Sequence, residues 1–225
     1  MSVSSAAKAR VAVLISGRGS NMRALIEASR AADYPAEIVC VISNRPDAAG
    51  LAWAKDQGVP ALGLDHALFP SREAFEDQLQ RLLIASRVDA IALAGFLRLF
   101  TAGFAERWRD RMLNIHPSLL PAFKGLHTHE RALAAGVRIA GCTVHLVGAE
   151  MDGGPILAQA AVPVLAGDTA ETLGARVLAA EHRLYPHALR RFLSGGDRES
   201  VFQGSPPELF SPPLENQAGR GARAQ

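Results

Sequence analysis

The stretch Val11-Ala12-Val13-Leu14-Ile15-Ser16-Gly17-Arg18-Gly19-Ser20-Asn21-Met22-Arg23-Ala24-Leu25-Ile26 decides the fold. Five consecutive apolar residues, 11–15, describe a strand buried on both faces, as a parallel sheet requires. The run breaks at once into a glycine-rich turn, after which Met22, Leu25 and Ile26 recur at helical spacing. Strand, tight turn and helix in that order aim backbone N–H groups and a helix N-terminus beyond the strand end, where an anion is welcome. Ser20 and Asn21 are N-cap residue types that can also donate to phosphate oxygens. The pattern is neither Gly-x-Gly-x-x-Gly nor a P-loop, so it indicates neither a dinucleotide nor a nucleoside triphosphate. Taken alone, Gly17 and Gly19 are equally compatible with an ordinary tight turn.

Outward from this unit the alternation continues. Residues 37–43 form a second β-branched run, followed by a helix over about 48–57 that Gly58 stops, and a short strand near 61–64. Ser71 can cap a helix reaching Ser86, with Phe75, Leu79, Leu82, Leu83 and Ser86 on one face. Arg72 stands in its first turn, where a cation opposes the helix dipole; it is either a tolerated surface residue or an anion contact. Residues 89–93 are another buried strand. This βαβα order predicts a doubly wound sheet that binds ligands beyond the carboxyl ends of its strands, where residues 16–21, 95–100 and His116 all fall. In the second half, a helix over 129–135 precedes strands at 140–147 and 156–164. The acidic, glycine-rich turn between those strands suits a hairpin. Asp168-Thr169-Ala170-Glu171 has the form of a capping box opening a last helix. That helix turns Leu173, Val177 and Leu184 inward and meets Pro186, which should kink or shorten it. The expected architecture is α/β, three-layer and doubly wound. Its N-terminal half is Rossmann-like with a mainly parallel sheet, and the sheet of its C-terminal half is mixed. One domain spans residues 1–195, in halves 1–105 and 106–195, with an irregular tail at 196–225.

Composition narrows the function. The 225 residues are 48% hydrophobic and 20% charged with a net charge of +2, which points to neither a nucleic-acid nor a membrane partner. No apolar run approaches the ~20 residues of a membrane span, and residues 1–10 lack the apolar centre of a secretion signal. Cys40 and Cys142 are far apart, and no ligand spacing suits a metal. A reducing, cytoplasmic compartment is expected.

A second stretch carries the chemistry. Residues 113–128 begin as a strand and break into a loop with two prolines, a glycine, two histidines and the apolar Leu119, Leu120, Phe123 and Leu126. Polar groups walled by apolar ones are the usual composition of a small-molecule pocket. Pro117 pushes His116 towards an extended backbone. Asn114 and His116 then share a strand face, about 7 Å apart at about 3.3 Å per residue, while Ile115 points to the core. An amide and an imidazole so placed can bind a developing oxyanion. His127 and His129 are expected to be solvated or packed.

With these motifs in view, the sequence resembles the folate-dependent formyltransferases, and among them the branch that formylates glycinamide ribonucleotide. The resemblance rests on residues 14–21, Leu93-Ala94-Gly95-Phe96-Leu97-Arg98, residues 113–121, Gly125-Leu126-His127-Thr128-His129 and Met151-Asp152-Gly153-Gly154-Pro155, in matching order over about residues 11–192. It implies formyl transfer from 10-formyltetrahydrofolate to the glycinamide amine, with no metal. It further implies that Asn114, His116 and Asp152 are catalytic, with Asp152 keeping His116 charged and relaying a proton. Gly19, Ser20 and Asn21 would hold the ribonucleotide phosphate, with Leu178, Ala179, Ala180 and Glu181 on the sugar and glycinamide side. Arg72, Leu97, Arg98, Leu99, Phe100, Asn114, Gly148, Ala149, Glu150, Met151 and Asp152 would line the folate site. Lys124 departs from the aromatic-proline step common in the family. Rival expectations are formylation of methionyl-tRNA or hydrolysis of formyltetrahydrofolate, each needing an extra domain for which this chain has no room, and a non-catalytic phosphate- or folate-binding regulator. The protein is expected as a monomer or homodimer.

Overall fold

The computed structural model describes residues 7–195; the tail expected at 196–225 lies outside them. Seven strands form one sheet: β1 (Ala9–Ile15), β2 (Ala36–Ser43), β3 (Ala61–Gly63), β4 (Ala90–Leu93), β5 (Met112–His116), β6 (Ile139–Leu146) and β7 (Ile156–Pro163), in the order β3-β2-β1-β4-β5-β6-β7. Strands β1 to β5 run parallel, and β6 and β7 are antiparallel to their neighbours. The helices are α1 (Ser20–Ser29), α2 (Ala49–Asp56), α3 (Arg72–Ala85), α4 (Ala102–Arg107), α5 (Thr128–Ala134) and α6 (Ala170–Leu193).

The period of two along β1 divides the core. Val11, Val13 and Ile15 pack with Met22, Leu25 and Ile26 of α1 and with Leu173, Val177 and Tyr185 of α6. Ala12 and Leu14 pack on the other face with Phe75, Leu79 and Leu83 of α3 and with Phe104 and Trp108. All five residues 11–15 are fully buried, which is why the strand reads as a continuous apolar run. Truncating a side chain such as Leu25 to alanine should cost about 2–5 kcal/mol. Tyr185 is also fully buried, and its hydroxyl donates to the carbonyls of Leu93 (3.1 Å) and Leu113 (3.2 Å), so α6 is tied to β4 and β5 without an unmet polar group.

From β1 the chain moves outward to β2 and β3, then returns to place β4 on the other side of β1. The resulting crevice at the carboxyl ends of β1 and β4 is where such folds take ligands.

Local expectations differ from the structure in four places. Gly19 caps α1, in a left-handed conformation (φ 69°) and with no side-chain cap bond, so Ser20 and Asn21 lie inside the helix. The box that opens α6 is shifted by one residue: Thr169 caps, with Thr172 as its reciprocal partner. Asp168 is drawn instead to Arg176 and the Leu165 N–H, and the Arg176 guanidinium holds its carboxyl below the ordinary range. Pro186 does not shorten α6, which runs on to Leu193 with Ala188 and Leu189 buried beyond it; tertiary burial outweighs the lost hydrogen bond. Helix α4 was not expected, because six residues are too few for a periodic signal.

Candidate active site

The site is assembled at the carboxyl ends of β1, β4 and β5. Residues 16–19 leave β1 and enter α1, whose first intrahelical bond is Arg23 N–H to Gly19 O at 3.0 Å. The N–H groups of Ser20, Asn21 and Met22 therefore have no acceptor within the helix. A capping side chain would have consumed one of them; Gly19 does not. The Asn21 amide donates to Glu181 Oε2 at 2.6 Å, and both side chains are buried. Burial pushes the Glu181 carboxyl up, while the Asn21 bond pulls it down. Helical spacing sorts the α6 candidates. Leu178 and Glu181 face α1, Ala180 is in the core and Ala179 is exposed, so the last two are not brought to the turn.

Ser16 joins this turn to the loop after β4. Its hydroxyl donates to Asn44 Oδ1 (2.5 Å) and accepts from the Leu97 N–H (2.8 Å), and its own N–H donates to Gly95 O (3.0 Å). The far end of the same loop is held by buried Glu76, which accepts both the N–H (2.7 Å) and the hydroxyl of Thr101. Between these anchors Phe96 and Phe100 stack at 5.3 Å, Phe100 and Phe104 stack at 4.6 Å, and Arg98 lies over Phe75. Leu97 and Leu99 are left 71% and 57% exposed; with Leu126 (70%) and Met151 (50%), they give the strand ends an apolar rim. Arg72 opens α3 as an exposed residue.

Asn114 and His116 share one face of β5, while Leu113 and Ile115 join the α6-side core. Asn114 lies directly opposite His145 in the antiparallel register, and its Nδ2 is 3.1 Å from His145 Nε2. His145 Nδ1 is 2.9 Å from the Leu146 carbonyl, which can only accept. Burial lowers the His145 pKa and favours the neutral ring, so Nδ1 carries the hydrogen and Nε2 accepts from Asn114. The Asn114 amide is thereby oriented with its second N–H uncommitted. Sequence reading placed His145 in a strand and assigned it no role; only the cross-strand register reveals its partner.

His116 is buried, with Nδ1 3.4 Å from Asp152 Oδ2 and Nε2 3.0 Å from the Phe123 carbonyl. Asp152 also accepts the Gly125 N–H (2.9 Å) and approaches His145 Nε2 (3.7 Å). It thus lies between two imidazoles. The turn that carries it requires glycine: a Cβ at Gly154 would come within 1.9 Å of the Leu146 carbonyl oxygen. Both His116 nitrogens already have partners in this conformation, so donation to a substrate oxygen requires Nε2 to exchange the Phe123 carbonyl for it. Loop 117–127 is pinned through Thr143, which donates to Ser118 O and accepts from the Leu120 N–H, and the Leu120–Pro121 bond is cis. Lys124 pairs with Glu150 at 2.7 Å and ties this loop to residues 148–155. His127 is exposed beside Glu130, and His129 packs against Gly174.

Residues 9–189 match the model of the formyl transferase family. The chain belongs to that family. It is 49% identical over 191 residues to the trifunctional purine biosynthetic protein adenosine-3 of Bos taurus, spanning 85% of this chain but only 19% of that relative. With phosphoribosylglycinamide formyltransferase of Escherichia coli it shares 42% identity over 82% of this chain and 87% of the relative. The crystal structure of phosphoribosylglycinamide formyltransferase from Brucella melitensis superposes with a TM-score of 0.80 at 56% identity, covering 84% of this chain and 97% of that one. The family's shared fold is the mixed seven-stranded α/β sheet described above. No helix among the described residues is long and apolar enough to cross a membrane.

Proposed function

We propose that the chain transfers the formyl group of 10-formyltetrahydrofolate to the amine of glycinamide ribonucleotide, giving formylglycinamide ribonucleotide and tetrahydrofolate, in purine biosynthesis. The observation that carries this reading is the convergence of Asn114, His116 and Asp152 at the end of β5, two strands from a turn with open backbone donors. At about 4.8 Å per strand the two ends lie about 10 Å apart, a separation that a phosphoribosyl group bridges. Gly19, Ser20 and Asn21 hold the phosphate, and Leu178 and Glu181 border the sugar and glycinamide. Leu97–Phe100 of the apolar rim, Arg72 and residues 148–152 form the folate wall.

In the reaction the neutral amine nitrogen bonds to the formyl carbon as the carbonyl pair moves to oxygen; the pair returns as the bond to the folate nitrogen breaks. The amine gives up a proton and the departing nitrogen gains one. The free N–H of Asn114 and the N–H of protonated His116 stabilise the oxygen, each donor being worth roughly 10²–10³-fold in rate. Asp152 keeps the imidazolium paired and moves the proton through water. A two-substrate assay with 10-formyltetrahydrofolate tests the proposal by comparing glycinamide ribonucleotide, charged initiator tRNA and water as acceptors. Turnover with the ribonucleotide alone is expected; equal or greater turnover with either rival would overturn the reading. The protein acts as a monomer or homodimer in the cytoplasm, on small molecules only.

A further inference from the structure

The residues assigned to the phosphate contain no cation. Gly19, Ser20 and Asn21 are neutral, and of the two residues assigned to the sugar side Leu178 is neutral and Glu181 is a buried acid. A phosphate monoester carries about −1.5 to −2 charges at neutral pH, and helix α1 offers only a partial positive charge. A groove of about 690 Å³ between α1 and α6 begins at this point, and its lining includes Arg18, Ser20, Arg23, Leu178 and His182. Arg23 lies one turn into α1, with its guanidinium stacked 5.0 Å from the Trp53 ring centroid. That contact positions the charge without using its N–H groups. Its Nε is buried and has no hydrogen-bond partner; His182 Nε2, facing from α6, is in the same condition. Among the described residues neither Arg18 nor Arg23 has an ion-pair partner. Buried donors without partners are rare, and these two belong to residues that line one groove. Burial lowers the His182 pKa, so the ring can serve as a neutral donor. Glu27 lines the same groove, one turn beyond Arg23 and near enough to oppose the burial effect on His182, but it is seven residues from Ser20, about 10 Å along the helix. An anion therefore belongs at the Ser20 end.

We infer that Arg18 and Arg23 form a cationic clamp that neutralises the acceptor's phosphate, with His182 completing its hydrogen bonding from α6. This rests on the proposed ribonucleotide reading and adds the specificity determinants for its phosphorylated form. The test is a kinetic cycle. Wild type, Arg18→Met, Arg23→Met and the double variant are each assayed with glycinamide ribonucleotide and with its dephosphorylated riboside, at low and moderate salt. Each single substitution should reduce the kcat/KM ratio of phosphorylated to unphosphorylated acceptor by about 10–100-fold, the range for a hydrogen bond to a charged group. Salt dependence should weaken in step. Arg23→Lys, which keeps the charge over Trp53, should recover part of the ratio and serves if Arg23→Met folds poorly. Equal losses with both acceptors, or no change in the ratio, would overturn the clamp while leaving the ribonucleotide reading intact. A wild type that uses the riboside as well as the ribonucleotide would overturn the reading itself.

Discussion

At the end of β1 the groups proposed to hold the phosphate are consecutive in the chain, Gly19, Ser20 and Asn21, and most of what they offer is backbone. At the end of β5 the groups come from three separate segments: Asn114 and His116 from one strand, His145 from its antiparallel neighbour, and Asp152 from the turn beyond. The first arrangement is set by local geometry, because a left-handed residue at the start of a helix is enough to expose its N–H groups. The second depends on register. A slip of one residue between β5 and β6 would turn His145 to the opposite face and leave the Asn114 amide unoriented. Losses at the phosphate end should therefore appear in acceptor binding, and losses at the chemical end in turnover.

The widest separation between the two ends is expected from Asp152→Asn. It removes the negative charge between the two imidazoles while keeping the Gly125 bond and the fold. Turnover should fall by at least about 10³-fold with KM for either substrate little changed, in line with the loss of an electrostatic or acid–base group; near-wild-type kcat would erase the proposed distinction. Asn114→Ala comes next, with a loss of roughly 10²–10³-fold in kcat. His145→Leu probes whether orientation matters as well as identity. It keeps the strand apolar and buried but strips Asn114 of its acceptor, and a loss of about 10-fold in kcat is expected from one misaligned donor. If His145→Gln, which can still accept from Asn114, behaves like the leucine variant, the register argument fails.

The smallest effect belongs to the other end and is read as stability. Burial raises the Glu181 pKa above its ordinary 4.5, so the folded state binds this proton more tightly than the unfolded one. The cost of the buried charge is absent below the unfolded value and fully present once pH has risen through the folded one. Glu181→Gln should therefore melt above the wild type at pH 7.5, by about 2–4 °C for each 1 kcal/mol relieved. The difference should vanish as pH falls below about 4.5. A gap that persists unchanged at low pH would assign it to packing rather than to charge.

Legibility in the sequence divides along the same line. The β1–α1 unit could be read because burial on both faces leaves an uninterrupted apolar run and the turn that follows needs glycine. Asn114 and His116 could be placed on one face because strand side chains alternate. The box opening α6 was read one residue early because Asp168 and Thr169 are both good caps, and only the reach of Arg176 separates them. Ser16, Asn44, Glu76 and Thr101 carry no local signal; their bonds join segments 25 or more residues apart.

By itself, the sequence determined the parallel half of the sheet, the position of the glycine turn between β1 and α1, the antiparallel hairpin and the placing of Asn114 and His116 on one strand face, since each follows from periodicities of two or 3.6 residues and from the dihedral limits of glycine and proline. Tertiary structure alone decided which histidine orients Asn114, where the nitrogens of His116 point, and which arginines border the phosphate turn. Those relations depend on strand register and helix packing, and a partner across a sheet or a groove leaves no periodic trace in the chain.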